Sequence, residues 1–157
     1  MKKILVMSDT HGNKGNIAKA LAKFGDVDYI IHLGDYVRDA EYIKKLTAIK
    51  VFAVKGNCDI STTAKTEITI NVEDKKILAV HGHQQSVKMS ILRLGLYGLE
   101  KGADIVLFGH THETTEHFFE NIMLYNPGSL GEPRGRKPSV GIIKIDNGAF
   151  KISTCKL

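Results

Sequence analysis

The chain opens with a continuous apolar run, Ile4-Leu5-Val6-Met7. After a polar stretch through Gly12, Ile17, Ala20, Leu21 and Phe24 recur at the i, i+3, i+4, i+7 spacing of one helical face. The pattern predicts strand, loop and helix, and then repeats. Tyr29 to Leu33 reads as a buried strand, Asp39 as the cap of a helix carrying Ile43 and Leu46, and Val51 to Val54 as the next strand. Such alternation predicts a parallel sheet with crossover helices. Beyond residue 60 the texture changes. Ile68, Ile70 and Val72 alternate with Glu67, Thr69 and Asn71, and a charged turn from Glu73 to Lys76 leads into Ile77 to Val80, which reads as an antiparallel hairpin.

Ser86 to Lys101 is expected to form a helix with Ile91, Leu92, Leu96 and Leu99 facing inward, followed by a buried strand from Asp104 to Phe108. The final third reads as all-β. Its strands are His117 to Glu120, Ile122 to Asn126, Val140 to Ile145 and Ala149 to Thr154, the last two joined at Asp146-Asn147-Gly148. Pattern alone gives an α/β domain with one mixed sheet or two.

Composition narrows this only a little. With 157 residues, 43% of them hydrophobic, and no repeat or linker-like break, one domain over residues 1–157 is expected. The longest apolar runs fall far below the ~20 residues of a membrane span. The first run stops at Ser8-Asp9 without the longer apolar segment of a secretory signal, so a cytoplasmic location and no membrane partner are expected. Cys58 and Cys155 are too few for a disulfide scaffold and read as free thiols. The net charge of +5 favours an anionic partner weakly. Most basic residues are lysines scattered along the chain, with Arg134, Arg136 and Lys137 the one dense cluster, so stable nucleic-acid binding is not expected.

The polar residues that follow the predicted strands carry more information. They are Asp9 and His11, then Asp35, then Asn57, then His81 and His83, then His110 and His112. Carboxyl ends of parallel strands converge on one edge, where ligand sites form, so these groups can meet. Two carboxylates, an amide oxygen and several imidazoles make a mixed nitrogen and oxygen shell suited to manganese, iron, cobalt, nickel or zinc. A structural zinc site would use paired cysteines, which are absent, so a catalytic site is the stronger reading. The supply of ligands exceeds the need of one ion, and two ions ~3.5–4 Å apart need a bridging carboxylate, for which Asp35 is the natural candidate.

At these positions the sequence resembles the calcineurin-like metallophosphoesterases, through Asp9-Thr10-His11, Gly34-Asp35, Gly56-Asn57-Cys58-Asp59, His81-Gly82-His83 and Gly109-His110-Thr111-His112. Asn126-Pro127-Gly128-Ser129 with Pro133-Arg134 is similar to the small prokaryotic phosphodiesterase branch. The resemblance implies an α/β fold, a four-layer α-β-β-α sandwich of two mixed sheets flanked by helices. It also implies Asp9, His11, Asp35 and His112 around one divalent ion and Asp35, Asn57, His81 and His110 around the other, with Mn²⁺ or Ni²⁺ preferred and Zn²⁺, Fe²⁺, Co²⁺ or Mg²⁺ allowed. The activity implied is hydrolysis of a small phosphodiester, by a bridging water acidified to hydroxide that attacks phosphorus in line.

One departure bears on substrate choice. Much of the wider family carries histidine after Gly-Asn, where the imidazole contacts phosphate and helps protonate the leaving group; here the position is Cys58. A thiol is a weak hydrogen-bond donor and carries no positive charge. Substrates that need leaving-group protonation should therefore suffer, and aryl diesters should not. Cys58, His83, Asp35 and Asn57 are the expected catalytic positions, His83 as a partial replacement acid or else a packing residue. Asp59 is left to cap its loop, while Arg134 and Arg136 either bind phosphate or face water. His32 and His117 read as structural, and Gly128-Ser129 lacks the spacing of a serine nucleophile. The rival readings are a non-catalytic scaffold resembling the retromer subunit, a nuclease, or a phosphomonoesterase on the same fold. Homo-oligomer formation is left open.

Overall fold

The computed structural model describes residues 1–134 and 136–157. Ten strands and three helices follow in the order β1 (Lys2–Met7), α1 (Lys14–Phe24), β2 (Tyr29–His32), α2 (Arg38–Leu46), β3 (Lys50–Ala53), β4 (Glu67–Val72), β5 (Lys75–Val80), α3 (Leu92–Glu100), β6 (Ile105–Leu107), β7 (Thr114–Phe119), β8 (Ile122–Pro127), β9 (Ser139–Asp146) and β10 (Ala149–Lys156). The strands form two five-stranded sheets, ordered β10-β9-β1-β2-β3 and β4-β5-β6-β8-β7. Both are mixed, since β1, β2 and β3 run parallel while β9 and β10 return antiparallel. In the second sheet β5, β6 and β8 are parallel and β4 and β7 antiparallel.

Three apolar clusters define the layers. Between the sheets, Ile4, Val6 and Ile31 of the first meet Ile77, Leu107 and Tyr125 of the second. Leu5, Met7 and Ile30 face the other way and pack on Ile17, Ala20 and Ile43 of α1 and α2. Leu78, Val106 and Leu124 pack on Leu94 of α3. Strands buried on both faces read as unbroken apolar runs, which is why Ile4 to Met7 does not alternate. The fold is the expected four-layer α-β-β-α sandwich. No described helix is long and apolar enough to cross a membrane.

The hairpin of β4 and β5 turns at Glu73 in the left-handed region (φ 54°), and that of β9 and β10 at Asn147 and Gly148 (φ 48° and 81°), the pairing of a tight I′ turn. Four expectations are corrected. The helix expected from Ser86 begins only at Leu92, because a short 3-10 turn over His83–Gln85 ends at Ser86 in the left-handed region (φ 55°). Leu92, Leu96 and Leu99 are exposed rather than inward-facing. The buried face of α3 is Leu94, Gly95 and Gly98, where the helix approaches too closely for side chains: a Cβ on Gly95 would stand 2.4 Å from the Phe119 ring and one on Gly98 2.7 Å from Val106. Asp39 does not cap α2; the cap position is Val37 without a side-chain bond, and Asp39 is the second residue of the helix, its carboxylate accepting from Thr10 and Gly12 of the first loop. The strand expected from His117 begins earlier, at Thr114.

Candidate metal centre

β1, β2 and β3 of one sheet and β5 and β6 of the other end on the same side, and the loops that follow bring the ligand candidates together. Asp9, His11, Asp35 and His112 offer ligand atoms within 4.8 Å of one another, and so do Asp35, His81 and His110. The two groups share Asp35, whose Oδ2 lies 3.6 Å from His11 Nε2 and whose Oδ1 lies 3.4 Å from His81 Nε2. Each carboxylate oxygen thus faces a different group. Asn57 joins the second, with Oδ1 3.1 Å from His81 Nε2.

The backbone is held under strain to achieve this. Asp9, His11, Asp35, His110 and His112 all take left-handed φ values between 45° and 70°, a conformation that costs about 1–3 kcal/mol for a non-glycine residue and concentrates at functional sites. Close approach requires glycine at two positions. A Cβ on Gly109 would stand 2.0 Å from Ser8 Oγ, and one on Gly56 2.1 Å from Asp35 Oδ1.

Hydrogen bonds fix which imidazole nitrogen faces inward. His81 Nδ1 lies 2.7 Å from the Leu33 carbonyl and His112 Nδ1 2.6 Å from the Glu132 carbonyl. A carbonyl only accepts, so both rings carry hydrogen on Nδ1 and the neutral rings turn a lone pair on Nε2 toward the centre. His112 Nε2 then faces Asp9 Oδ1 at 3.1 Å, and His81 Nε2 faces Asn57 Oδ1 at 3.1 Å, acceptor against acceptor. Asp9 Oδ1 and His11 Nε2 are buried without a hydrogen-bond partner. Such an arrangement is satisfied by positive charge between the groups, so the residues present fit divalent cations. With no cation, a proton serves instead: the hydrogen bond to Asp9 raises the His112 pKa against the opposing effect of burial. Burial pushes Asp9 upward, but His112, His81 and Ser8 together hold it below the ordinary carboxylate range. Burial, then the neighbouring His81, lowers His110 to about 4.

The ligand loops are braced by groups that the spacing argument did not single out. Ser8 donates to Asp9 Oδ2 at 2.5 Å, and Ser129 donates to the Asp9 carbonyl at 2.8 Å. Asn126 donates to the Gly109 carbonyl and accepts from Gly128 N–H, so the Asn126 to Ser129 turn supports two ligand loops and supplies no nucleophile. The Thr10 hydroxyl donates to Asp39 at 2.6 Å, so His32 Nε2–H must donate to Thr10 Oγ1 at 2.8 Å, leaving His32 Nδ1 to accept from Gly34 N–H at 3.2 Å. His32 is structural, and complete burial pushes it down to about 4. Serine and threonine inside the Asp9 and His11 loop are the one sequence signal for this bracing; the Asp39 contact crosses 29 residues and left none.

Cys58 donates its N–H to Asp35 Oδ1 at 3.0 Å. The residue is exposed as a whole, yet crowding at the sulfur, then the Asp35 carboxylate, pushes the thiol up to about 11. Asp59 accepts from Val37 and Gly56 N–H groups, each at 2.8 Å, and caps its loop. The His83 ring lies 5.4 Å from that of His81 and 6.1 Å from that of His110, with Nδ1 buried and unpartnered. Burial, then His81, lowers its pKa. Arg134 and Arg136 are exposed, the former sharing a cleft of about 310 Å³ with Lys88 and Thr111. His117 lies exposed on β7, away from the cluster, and both cysteines are free.

Residues 1–148 match the model of the calcineurin-like phosphoesterase superfamily domain, and the chain belongs to that family. It is similar to Phosphodiesterase MJ0936 of Methanocaldococcus jannaschii, 30% identical with 95% of this chain and 96% of that protein covered. Among solved structures it is similar to a predicted phosphoesterase from Streptococcus pneumoniae, with a TM-score of 0.85, 28% identity and 99% and 89% of the two chains covered. It also shares its fold with wild-type Vps29 of Entamoeba histolytica complexed with Zn²⁺, with a TM-score of 0.76, 21% identity and 98% of each chain covered.

Proposed function

We propose that this phosphoesterase is a cytoplasmic phosphodiesterase of small substrates that works with two divalent cations, Mn²⁺ or Ni²⁺ in preference to Zn²⁺, Fe²⁺, Co²⁺ or Mg²⁺. Asp9, His11, Asp35 and His112 would hold one, and Asp35, Asn57, His81 and His110 the other. The observation that carries the reading is Asp35, which turns one carboxylate oxygen to each ligand group. When bound, the cations would supply Lewis acidity toward phosphate oxygens and lower the pKa of a water.

The protein's own contribution is position. Asp35 is fixed by the N–H of Cys58, and His81 and His112 are locked by backbone carbonyls, so neither ring needs to reorient. Cys58 stands where the wider family presents an imidazole, and a thiol offers phosphate only a weak donor. His83, beside His81 and His110, is the remaining ring able to contact a phosphate oxygen. Esters with leaving groups that need no proton are therefore favoured over alkyl esters, and between two p-nitrophenyl esters the diester is favoured because a neutral thiol offers no positive charge to the second negative charge of a monoester. The name of the archaeal relative, a phosphodiesterase, supports the same preference.

The test is hydrolysis of bis-p-nitrophenyl phosphate beside p-nitrophenyl phosphate, in metal-stripped protein and after separate addition of manganese, nickel, zinc and magnesium. Metal-dependent cleavage favouring the diester is expected. Preference for the monoester would overturn the diester reading, and cleavage of neither with metals bound would turn attention to a non-catalytic scaffold.

A further inference from the structure

Past His11 and Cys58 the metal centre opens into a cleft of about 900 Å³ that runs along α2. Tyr36 and Arg38 line this cleft and also a second one of about 420 Å³, which they share with Lys14, Tyr42 and Lys45. The two residues thus stand between the cluster and the smaller cleft. Tyr36 is held in place: its backbone is left-handed (φ 66°), its ring lies 5.4 Å from that of His11, and the Arg38 guanidinium sits 4.6 Å above it. Across the smaller cleft the Lys14 ammonium lies 5.2 Å over the Tyr42 ring.

The charge there is not balanced. Of the acids lining the smaller cleft, Glu41 is paired with Lys44 at 2.6 Å, and the buried Asp39 carboxylate is engaged by the Thr10 hydroxyl and Gly12 N–H. Among the described residues Lys14, Arg38 and Lys45 make no ion pair, so three cations and two ring faces meet in one recess. A guanidinium plane and an ammonium group stacked on ring faces can take a planar ring and a phosphate together. Because Tyr36 and Arg38 line both clefts, a ligand spanning them would order its groups along that line: phosphate at the metals, ring beside Tyr36, second anion at the lysines.

Resting on the phosphodiesterase reading for the first phosphate, we infer that the smaller cleft is a subsite for the second phosphate of a nucleotide-like arm, and that the substrate is a phosphodiester carrying such an arm. Lys14, Arg38 and Lys45 then determine specificity and take no part in bond cleavage.

Thymidine 3′,5′-bisphosphate, which has two phosphates and no diester bond, is the probe, with thymidine 5′-monophosphate and thymidine 3′-monophosphate as references. Binding to the Mn²⁺-loaded protein is measured by calorimetry. The bisphosphate should bind about tenfold more tightly than the better monophosphate, the size of one exposed charge-assisted contact. In Lys14→Gln/Lys45→Gln, and separately in Arg38→Gln, the ratio should fall below about threefold, while Lys144→Gln/Lys151→Gln, which removes equal charge from the other sheet edge, should keep it. Equal affinities in the unaltered protein, or a ratio retained in Lys14→Gln/Lys45→Gln, would overturn the subsite. Hydrolysis of bis-p-nitrophenyl phosphate on the unaltered protein separates the two claims. A tenfold gain without hydrolysis removes the phosphodiesterase reading and keeps the subsite, and hydrolysis without the gain removes the subsite alone.

Discussion

His112 Nε2 stands 3.1 Å from Asp9 Oδ1 while its Nδ1 hydrogen is committed to the Glu132 carbonyl at 2.6 Å, so a neutral ring turns its lone pair onto a buried carboxylate oxygen that has no donor of its own. A cation between them relieves this contact. Saturating Mn²⁺ or Ni²⁺ should therefore stabilise the protein: at a hundred times the dissociation constant the gain is about 2.7 kcal/mol, or roughly 5–10 °C in Tm for a domain of this size. His112→Ala should lose most of that gain, as followed by thermal denaturation with and without metal. An equal metal-induced rise in His112→Ala would remove the residue from the ligand set.

Asp35 is the one residue common to both ligand groups, and His81 is locked on Leu33. Asp35→Asn and His81→Ala should each abolish hydrolysis of bis-p-nitrophenyl phosphate, by at least about a hundredfold, while circular dichroism remains that of the folded protein. The decisive sample is Asp35→Asn stripped with chelator and remetallated. If it hydrolyses normally, the carboxylate does not bridge.

Cys58 contributes an N–H to Asp35 through its backbone, which any residue can supply, so its side chain can be changed without disturbing that contact. Cys58→His should raise monoester turnover about tenfold relative to aryl-diester turnover, because only the monoester with a poor leaving group gains from a proton donor. The ratio of the two kcat/KM values, before and after the change, is the measurement. An unchanged ratio argues that leaving-group protonation does not set the preference.

His32 makes a pH prediction away from the ligands. Its folded pKa is pushed down to about 4 by burial, from an ordinary value of 6.5, so the neutral ring belongs to the folded state and the unfolded chain takes the proton first. Its contribution is complete above pH 6.5 and is lost as pH falls toward 4, an effect of about 3 kcal/mol over that window. His32→Gln should flatten the fall in stability between pH 6.5 and 4 relative to the unaltered protein, measured by urea denaturation. Parallel pH profiles would mean that the His32, Thr10 and Asp39 chain is not holding a neutral ring.

The four-layer fold and the convergence of the candidate ligand residues were legible because both rest on signals local in sequence. A buried parallel strand shows as an apolar run, and a ligand loop follows it within a few residues, as Asp9 follows Met7 and His81 follows Val80. What escaped depends on distance or on small residues. The inner face of α3 was misread because leucine periodicity favours Leu92, Leu96 and Leu99, whereas the contact is made by Gly95 and Gly98, which carry no apolar signal. The recess of Lys14, Arg38, Tyr42 and Lys45 draws on the first turn of α1 and one face of α2, so scattered lysines read as solvated residues. Asp39 looked like a cap because it precedes an apolar helix; only the folded chain places Thr10 against it.

Gly109 offers a test of how tightly the two sheets must close on the metal centre. Its N–H donates to the His81 carbonyl at 2.9 Å and its carbonyl accepts from Asn126 at 2.9 Å, so the residue is pinned between both ligand groups. An added Cβ would stand 2.0 Å from Ser8 Oγ and 2.7 Å from Asp9 Oδ2, and neither neighbour is the free end of a flexible chain. Gly109→Ala should therefore displace Asp9, lowering stability by about 1–3 kcal/mol and metal affinity by about 10–100-fold. Gly15→Ala is the matching control. It lies near the start of α1, its nearest neighbour would be Asn13 Oδ1 at 3.7 Å, and replacing glycine there should raise stability by about 0.5–1 kcal/mol without touching metal affinity. Metal titration of the two variants side by side decides the matter: unaltered affinity in Gly109→Ala would mean that the Ser8 and Asp9 loop has room to retreat and that its close approach to Gly109 is not what fixes the ligand.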